Sequence, residues 1–497
     1  MAHPLLYEIN TRCWLQALSD ANGHAVTLAE VPDSEFLQWQ RSGFTHIWLM
    51  GVWAGGPQAR AQALASPDLR HAFSEALPDW TEDDVGPSPY AVADYHVSPA
   101  LGGDAALASF RRKLRAFGLK LILDFVPNHL GVDHPWVKER PQLFVQSPKL
   151  EPETFPADSA AGRKYLAYGK DPNWSAWTDT VQIDYRCAEA RAAMIALLQQ
   201  VAGLCDGVRC DMAMLILNEV FAQTWKAFPR PTPSFSTEFW SDAIGAIRRD
   251  YPDFVFLAEV YWGLERRLQE LGFNYTYDKS LYDGLISREP GSVQRHLFAV
   301  GPDYLRAGAH FIENHDERRV ASVLSLEEHR AAALVILALP GMRLLHEGQL
   351  CGLRRRLPVQ LIRRAPEPQD PQIETLYRQL LGSLSSSAVG QGSFEVIAPR
   401  QAWENNPTAQ HFVLVQWIAA EVPSFDLVVV NLAPHSSQCY APVKLPTASA
   451  RDWNVSDQLG TDRFLRNGDD LRNRGLYLDL PGHGGQILHF EPLGRST

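Results

Sequence analysis

The sequence lacks any uninterrupted run of 18 or more apolar residues, and no basic segment followed by an apolar stretch stands at its start. A membrane-spanning helix and a secretory leader need those features, so we expect a cytoplasmic protein with no membrane partner. Lys and Arg form no long run, and 46 basic against 57 acidic residues give a net charge of −11. Such a charge does not favour nucleic acid and is compatible with a neutral ligand.

The six cysteines are scattered without CxxC spacing, which indicates neither a zinc knuckle nor a disulfide framework. Reduced, mostly buried thiols are expected instead. The motifs HxH and HExxH are also missing, which weakens the hypothesis of a metal-dependent hydrolase despite His129, His134 and His315. With 497 residues, the chain is too long for one compact core, so a large domain with one or two smaller ones is expected.

Short β-branched and aliphatic runs alternate with helical stretches, an order typical of a parallel sheet. Several of these runs are apolar throughout, as strands buried on both faces are. Eight such strand–helix units close a (β/α)8 TIM barrel, so the fold class is predicted to be α/β. The predicted strands are 6–10, 46–51, 120–126, 207–211, 254–260, 274–278, 309–313 and 342–346.

Two stretches interrupt this alternation, one after the second predicted strand and one after the third. We expect the first, residues 58–89, to be a long loop, and the second to be a short inserted subdomain. Towards the end of the chain, strand-like runs such as 411–418 predict a C-terminal antiparallel β-sandwich domain. The predicted domains are the catalytic barrel of 1–130 and 181–385, the inserted subdomain of 131–180, and the C-terminal β-sandwich of 386–497.

Polar side chains stand at or just beyond the carboxyl ends of four predicted strands. Because those ends meet at one face of a barrel, the side chains are expected to converge on one pocket. Burying a charge costs free energy unless the charge has a partner, so this set indicates a reaction with proton transfer or cationic charge. Paired carboxylates suit glycoside hydrolysis, in which one protonates the leaving oxygen and the other attacks. The residues are Asp124, Asn128, His129, Arg209, Asp211, Glu259, His315 and Asp316.

Four segments that carry these residues resemble the signature regions of the α-amylase family, glycoside hydrolase family 13, in content, order and strand placement. Each segment alone is a weak signal, but four in register are highly specific. They read Asp-Phe-Val-Pro-Asn-His at 124–129, Gly-Val-Arg-Cys-Asp at 207–211, Phe-Leu-Ala-Glu-Val at 256–260, and Phe-Ile-Glu-Asn-His-Asp at 311–316.

The resemblance implies a retaining α-glucan-active enzyme. By position, Asp211 resembles the nucleophile, Glu259 the acid/base and Asp316 the transition-state stabiliser. Arg209 is expected to keep Asp211 ionised by charge pairing. Glu259, in contrast, needs a raised pKa to carry a proton near neutral pH.

The same resemblance implies how the substrate is held. His129 and His315 resemble imidazoles that bond hydroxyls of the sugar in the cleavage subsite, and Tyr90 resembles the tyrosine that stacks under that sugar. Asp124 is expected to pair with Arg209 or to orient its neighbours.

The sequence departs from the family where the leaving-group side of the site is expected. Many α-amylases have a Lys-His pair at the third and fourth positions after the nucleophile, and this chain has Met214 and Leu215 there. No cofactor is implied as required, but Asn128 matches a family calcium-ligand position, so Ca²⁺ stays open beside a purely hydrogen-bonding role.

Three functions remain open at this stage. The first is hydrolysis of α-1,4 linkages in maltooligosaccharides or a glycogen-like glucan. The second is transfer of a glucosyl or maltosyl unit to a hydroxyl acceptor through the same intermediate. The third is an inactive barrel that serves as a binding subunit, which predicts loss of one of Asp211, Glu259 and Asp316. The sequence indicates no oligomeric state.

Overall fold

The computed structural model describes residues 2–159, 162–228, 230, 235–419, 422–446 and 452–493. At its centre, eight parallel strands form a closed barrel, which confirms the predicted fold class. Around the ring the order is β1, β8, β7, β6, β5, β4, β3, β2, closing on β1. In chain order, β1 to β8 are Leu5–Asn10, His46–Met50, Lys120–Phe125, Gly207–Cys210, Val255–Ala258, Tyr275–Tyr277, Gly308–His310 and Met342–His346.

The inward-facing side chains change from apolar to polar along the barrel axis. Alternate residues of a strand point to the same face, so each strand contributes an ordered pair to the interior. Leu6, Ile122, Leu257 and Leu344 pack together in one fully buried cluster. Two residues further along the same four strands stand Glu8, Asp124, Glu259 and His346. The strand alternation therefore sets a buried polar layer at the carboxyl end of the barrel.

Helices surround the barrel and bury their apolar faces against the outer side of the strands. The helix between β7 and β8 illustrates the local code: Ser325 and Glu328 form a capping box at its start, and nearly all of its later residues are buried. The longer helices are Thr11–Asn22, Asp33–Arg41, Pro57–Ala65, Pro67–Ala76, Gly103–Ala116, Ala188–Leu204, Asn218–Thr224, Phe239–Asp250, Lys279–Ile286, Pro290–Arg306, Leu326–Ala338 and Pro371–Ser385. Shorter helices are Trp136–Glu139, Glu265–Glu270, Val320–Val323 and Gly468–Asn473.

The stretch 58–89 is not one long loop, because two helices, Pro57–Ala65 and Pro67–Ala76, lie in it. Each begins with a proline at its first position, where a missing N–H costs nothing and the fixed φ suits a helix. The Ser66 side chain accepts a hydrogen bond from the Leu69 amide and caps the second helix. The proline-based expectation of a loop was therefore wrong for this part of the chain.

Antiparallel sheets lie in both regions that the sequence separates from the barrel. In the inserted region, Gln146–Ser147, Thr154–Ser159 and Gly162–Ala167 form a three-stranded sheet, and His129–Gly131 pairs with Thr180–Gln182 at its base. Another two-stranded pair, Trp53–Gly55 with Val92–Val97, follows β2. No helix among the described residues has the length and apolar character needed to span a membrane.

The C-terminal region contains two antiparallel sheets that share an apolar core, with Phe425, Trp453 and Leu478 among its buried residues. One sheet has six strands in the order Ser393–Val396, Phe412–Ile418, Phe425–Asn431, Gly485–Pro492, Asp452–Asp457 and Arg463–Asn467. The other has three, in the order Arg400–Gln401, Ser437–Ala441 and Leu476–Leu480. This arrangement agrees with the predicted antiparallel C-terminal region.

Candidate active site

One guanidinium group holds the two carboxylates that the sequence singles out. Nη1 of Arg209 lies 2.7 Å from Oδ1 of Asp211, and Nη2 lies 2.6 Å from Oε2 of Glu259. Arg209 is fully buried on β4, while Asp211 and Glu259 follow β4 and β5 with 6% and 3% of their surface exposed. Since β4 and β5 are neighbours in the barrel, the shared cation fixes the two carboxylates beside each other.

Two further donors orient Glu259. The amide of Met212 donates to Oε2 at 2.8 Å, and the hydroxyl of Tyr261 donates to Oε1 at 2.7 Å. Met212 has a φ of 41°, in the left-handed region that non-glycine residues rarely occupy. In this conformation its amide points towards Glu259. Neither residue belongs to the predicted site, because a backbone turn and a residue two positions beyond a motif left no distinct sequence signal.

Burial controls the protonation of the carboxylate pair. It raises the pKa of Glu259 to about 7, even though Arg209 works in the opposite direction. Burial also raises the pKa of Asp211, and Arg209 opposes this shift through its ion pair. Charge pairing with Arg209 alone predicts a low pKa for Asp211, whereas in the structure burial outweighs this effect and the pKa is raised. With one cation between two buried acids, the neutral-pH state that suits catalysis carries one proton, on Glu259.

A second polar group connects Asp316 to the floor of the barrel through His315. Nε2 of His315 lies 2.9 Å from Oδ2 of Asp316 and 2.7 Å from the Tyr90 hydroxyl, and Nδ1 contacts Oε1 of Glu8. Burial would lower the pKa of His315, but the carboxylates of Asp316 and Glu8 raise it to about 10. His315 is therefore an imidazolium at neutral pH, and its charge holds the pKa of Asp316 well below the ordinary value.

Glu8 is a member of this site that the sequence analysis missed. Its side chain is fully buried on β1 and its Oε1 also accepts the backbone amide of His315 at 3.3 Å. A signal was present, since Glu8 interrupts the apolar run Leu-Leu-Tyr-Glu-Ile on the inward face of a predicted strand. Glu8 acts on the site through His315 and is a positioning residue.

Replacing Glu8 with Gln is expected to lower kcat/KM by about 10- to 100-fold, because a hydrogen bond to a charged group contributes ~1.5–3 kcal/mol. The pKa of His315 should fall from about 10, so the loss should grow as pH rises from 6.5 towards 10. A pH–rate profile of both proteins measures this. Glu35→Gln is the control, since Glu35 accepts a hydrogen bond from Trp14 on the outside of the barrel. A loss that is constant across pH would contradict a role through His315.

Asp124 and His129 lie beside these two groups in different environments. Asp124 accepts hydrogen bonds from Nε1 of Trp48 and the amide of Gly51, and its Oδ1 is 3.9 Å from Arg209. Burial raises the pKa of Asp124 to about 6, and burial lowers that of His129 to about 4. Asp124 thus braces the loop after β2 and pairs loosely with Arg209, whereas His129 is neutral and able to donate to a hydroxyl.

In the structure, an amide nitrogen lies where the oxygens around Asn128 converge. Three carbonyl oxygens, the backbone and side-chain oxygens of Asn128 and the backbone oxygen of Ile183, converge on Nε2 of Gln182 at 2.8, 3.0 and 3.1 Å. Calcium prefers six to eight oxygen ligands around one point, and here an amide nitrogen fills that point. Within the described parts of the chain, no group of three or more His, Cys, Asp or Glu side chains is arranged to hold a metal ion.

Activity is therefore expected to be unchanged after dialysis against a chelator and insensitive to added Ca²⁺. Initial rates of the treated and untreated protein, together with their melting temperatures, provide the measurement. Gln182→Glu is a useful second variant, because it replaces the amide nitrogen that now donates to three carbonyl oxygens with a carboxylate oxygen. Activity that disappears with the chelator and returns with Ca²⁺ would contradict this reading of Asn128.

The two residues at the predicted leaving-group positions are part of the apolar core. Met214 and Leu215 lie in the short turn Ala213–Ile216 and are buried among apolar side chains. Trp262, three residues after Glu259, is 46% exposed and has a φ of 65°. An exposed tryptophan in a rarely adopted backbone conformation next to the acid/base candidate is a platform on which a sugar face can pack.

A family pattern described as "Alpha amylase, catalytic domain" matches residues 40–278, which contain three of the four motifs. Among curated proteins, Alpha-amylase 3 of Dictyoglomus thermophilum is 23% identical over 295 residues, covering 55% of this chain and 56% of that protein. Residues 40–278 of the chain are therefore similar to the catalytic domain of the α-amylase family. The Phe-Ile-Glu-Asn-His-Asp segment at 311–316 lies outside the matched residues, yet the fold brings it to the same pocket.

Other family relatives differ in their named activity. An α-1,4-glucan:maltose-1-phosphate maltosyltransferase of Chlorobaculum tepidum is 28% identical over 184 residues, covering 36% of this chain and 23% of that protein. The chain thus spans about half, or less, of the curated relatives it matches.

Solved structures agree on the fold over nearly the whole chain. A maltogenic α-amylase of Thermotoga neapolitana has a TM-score of 0.66 at 18% identity, with 99% of each chain covered. An α-amylase of Geobacillus thermoleovorans, complexed with acarbose, has a TM-score of 0.67 at 15% identity with the same coverage. At these identities the likeness concerns the fold alone.

Proposed function

We propose that the protein is a retaining glycoside hydrolase that cleaves α-1,4 linkages of maltooligosaccharides or a glycogen-like glucan through a covalent glycosyl-enzyme intermediate. In the first step Asp211 attacks the anomeric carbon while Glu259 gives its proton to the leaving oxygen as the glycosidic bond breaks. In the second step Glu259 takes a proton from water, whose oxygen displaces Asp211 from the anomeric carbon. Two displacements return the starting configuration.

The observation that carries this proposal is the shared guanidinium between Asp211 and Glu259. A retaining enzyme needs its two carboxyl groups only about 5 to 5.5 Å apart, and one planar cation bound to both supports such a spacing. It also needs one acid protonated and one ionised, and the pKa of Glu259 at about 7 meets the first requirement.

The remaining polar groups suit the sugar and its transition state. Asp316 and Asp124 place negative charge near Asp211, so the site favours a sugar ring that gains positive charge as the bond breaks. Tyr90 lies with its ring stacked on His315 at 5.5 Å between centroids, and presents a flat surface for the sugar in the cleavage subsite. His129, His315 and Asp316 are the proposed partners of its hydroxyls.

The pH dependence should report Glu259 directly. The protonated form is the active one, so kcat/KM is expected to fall as pH rises through about 7, where Glu259 loses its proton. A profile of kcat/KM for maltoheptaose between about pH 4 and 10 covers both limbs of a bell-shaped pH dependence and checks this. With α-glucosyl fluoride, whose leaving group needs little protonation, the alkaline fall should weaken. A fall of equal size with both substrates would contradict the assignment of Glu259 as the acid.

Transfer to a hydroxyl acceptor is the second candidate, since relatives of the family are named maltosyltransferases. Hydrolysis and transfer share the first step and differ only in what Glu259 activates in the second. Trp262 favours a bound acceptor on the leaving-group side, because its exposed ring offers an apolar face there. An acceptor held on this ring would compete with water for the intermediate.

Product analysis on maltoheptaose, with and without added maltose, tests both candidates. A hydrolase gives shorter oligosaccharides whose fresh reducing ends are α-anomers by NMR, and maltose leaves their yield unchanged. A transferase gives products longer than the substrate, and Trp262→Ala should reduce their share relative to hydrolysis. If β-anomers form first, or no oligosaccharide is cleaved, the proposed function is wrong.

An inactive barrel is disfavoured because Asp211, Glu259 and Asp316 are all present, and the charge of Asp316 acts on both other carboxyl groups. We also propose a cytoplasmic location, supported by six cysteines that are all free thiols.

A further inference from the structure

A cavity opens beside Asp316, on the side of the site away from Glu259. It has a volume of about 410 Å³, within the range of pockets that hold small molecules. The helix Pro67–Ala76 forms one wall, and residues 355–360, which follow β8, form the other. Asp316 lines this cavity and also pairs with His315 of the catalytic group, so the two regions share one side chain.

Two arginines line this wall of the cavity. Arg355 and Arg356 are exposed at the cavity, and within the described residues neither guanidinium forms an ion pair or hydrogen bond. Two other arginines of the same loop behave differently, since Arg363 pairs with Asp84 at 2.8 Å and Arg364 pairs with Glu347. The free charges at 355 and 356 are therefore specific to the cavity and not a property of the whole loop.

The backbone under these arginines is held in place. Oε2 of Glu367 accepts the amides of Arg354 and Arg355 at 2.9 and 3.1 Å. Nε of Arg319 donates to the carbonyl of Arg355 at 3.4 Å. Fixed backbone with unpaired guanidinium groups is a preorganised arrangement for a ligand, because binding does not have to order the loop.

The carboxylates that also line the cavity have partners of their own. Glu75 is exposed to solvent and lies 3.4 Å from His71 one helical turn away. Asp316 lies 2.9 Å from the imidazolium of His315. Neither carboxylate forms an ion pair with Arg355 or Arg356, although the charge of Arg356 helps to lower the pKa of Asp316. The donors of both guanidinium groups are therefore open to a ligand.

The barrel order places this cavity relative to the scissile bond. Its walls follow β2 and β8, the two neighbours of β1, and β5 lies opposite β1 in the ring of eight. Glu259, which follows β5, must face the leaving oxygen in the proposed reaction. The cavity is thus on the other side of the sugar under attack, where the glycone and its free hydroxyls lie.

We propose that Arg355 and Arg356 bind an anionic group, phosphate or carboxylate, on the glycone of the substrate. Arginine presents a planar fork of donors that matches both groups in a bidentate way, and two adjacent forks suit one multiply charged ligand. This inference rests on the proposed function, because it uses the glycosidase geometry to place the ligand. It makes the preferred substrate a charged α-glucoside in place of a neutral one.

Three chromogenic substrates test the proposal and separate its two ligand sources: 4-nitrophenyl α-glucoside, its 6-phosphate, and 4-nitrophenyl α-glucuronide. The kcat/KM for one charged substrate is expected to exceed that for the neutral glucoside by about 10-fold or more. Arg355→Ala and Arg356→Ala should each remove most of this preference, and Arg355→Ala, which does not act on Asp316, should leave the neutral rate within about 2-fold (~0.4 kcal/mol). Arg354→Ala is the matched control, because Arg354 is exposed on the same loop and does not line the cavity.

Calorimetric binding to Asp211→Asn gives a readout that does not need turnover. Glucose 6-phosphate or glucuronate should bind more tightly than glucose, and Arg356→Ala should abolish the difference. Binding of a charged sugar without cleavage of any glycoside would support this inference and reject the proposed function. Asp211-dependent cleavage of neutral oligosaccharides, with equal effects of the arginine variants on charged and neutral ligands, would overturn this inference alone.

Discussion

Asp211→Asn is expected to retain the fold and to lose at least roughly 10²-fold in kcat on maltooligosaccharides. The amide cannot attack the anomeric carbon as a carboxylate does, and it removes one of the two anions bound to Arg209. Because burial raises the pKa of Asp211, a neutral side chain at this position should not destabilise the protein. Initial rates and the free energy of unfolding, measured together, separate a chemical defect from a folding defect.

A matched control exists at the opposite end of the same strand. Asp206 precedes β4 and pairs with Arg111 and Arg115, at the end of the barrel far from Glu259. Asp206→Asn is expected to lower stability without changing kcat, so the two aspartates should show opposite patterns. If Asp211→Asn kept the wild-type rate, Asp211 would not be the nucleophile and the retaining mechanism would lose its central residue.

Asp211→Gly extends this test, because azide can take the place of the missing carboxylate. Azide is expected to attack the anomeric carbon from the side that Asp211 occupied, while Glu259 protonates the leaving oxygen as before. The product should be a β-glycosyl azide, detectable by NMR. An α-glycosyl azide, or no rescue at any azide concentration, would place the nucleophile elsewhere.

The barrel could be predicted from the sequence because its strands are buried on both faces, and continuous apolar runs result. All eight predicted strands are present, but several end earlier than expected. The fourth was predicted to reach residue 211 and ends at Cys210, and the seventh was predicted as 309–313 and ends at His310. Strand pairing stops where the polar residues turn into the pocket, and a hydrophobicity pattern does not locate that point.

The residues of the polar layer could be predicted where they lie in a motif at the end of a strand. Arg209, Asp211 and Glu259 fall in recognisable segments, and the structure brings them into direct contact. Tyr261 contacts Glu259 through a turn that the sequence does not indicate. Glu8 was indicated only by its charge within an apolar strand, and its partner His315 is distant in sequence.

The arginines at 355 and 356 were equally hidden within a basic run. Their significance depends on which neighbours leave them unpaired, and this is a property of the folded chain.

Arg209→Leu is expected to destabilise the protein by about 3 to 5 kcal/mol near neutral pH, because it leaves buried carboxylates without their cation. Asp211 and Glu259 already have raised pKa values, and loss of Arg209 raises them further. An acid whose folded pKa lies above its unfolded pKa disfavours the folded state when ionised, and this penalty disappears as pH falls and the acid binds its proton. The destabilisation should therefore be larger at pH 8 than at pH 5, because Glu259 has a pKa of about 7 and loses its proton between these two values.

Arg343→Leu provides the comparison that isolates the ionic contribution. Arg343 is also buried in the barrel, but its side chain donates to the backbone carbonyls of His3, Pro4 and Leu337 and to no carboxylate. Arg343 contributes to the lowered pKa of His3, so the cost of its removal should decrease slightly at the lower pH. The cost of Arg209→Leu should decrease more, because two buried carboxyl groups lose their cation. Adding Glu259→Gln to Arg209→Leu should recover part of the lost stability at pH 8, since one of the orphaned charges is gone. Equal losses at both pH values for Arg209→Leu would mean that Arg209 supports the barrel by packing, and that the paired acids do not depend on its charge.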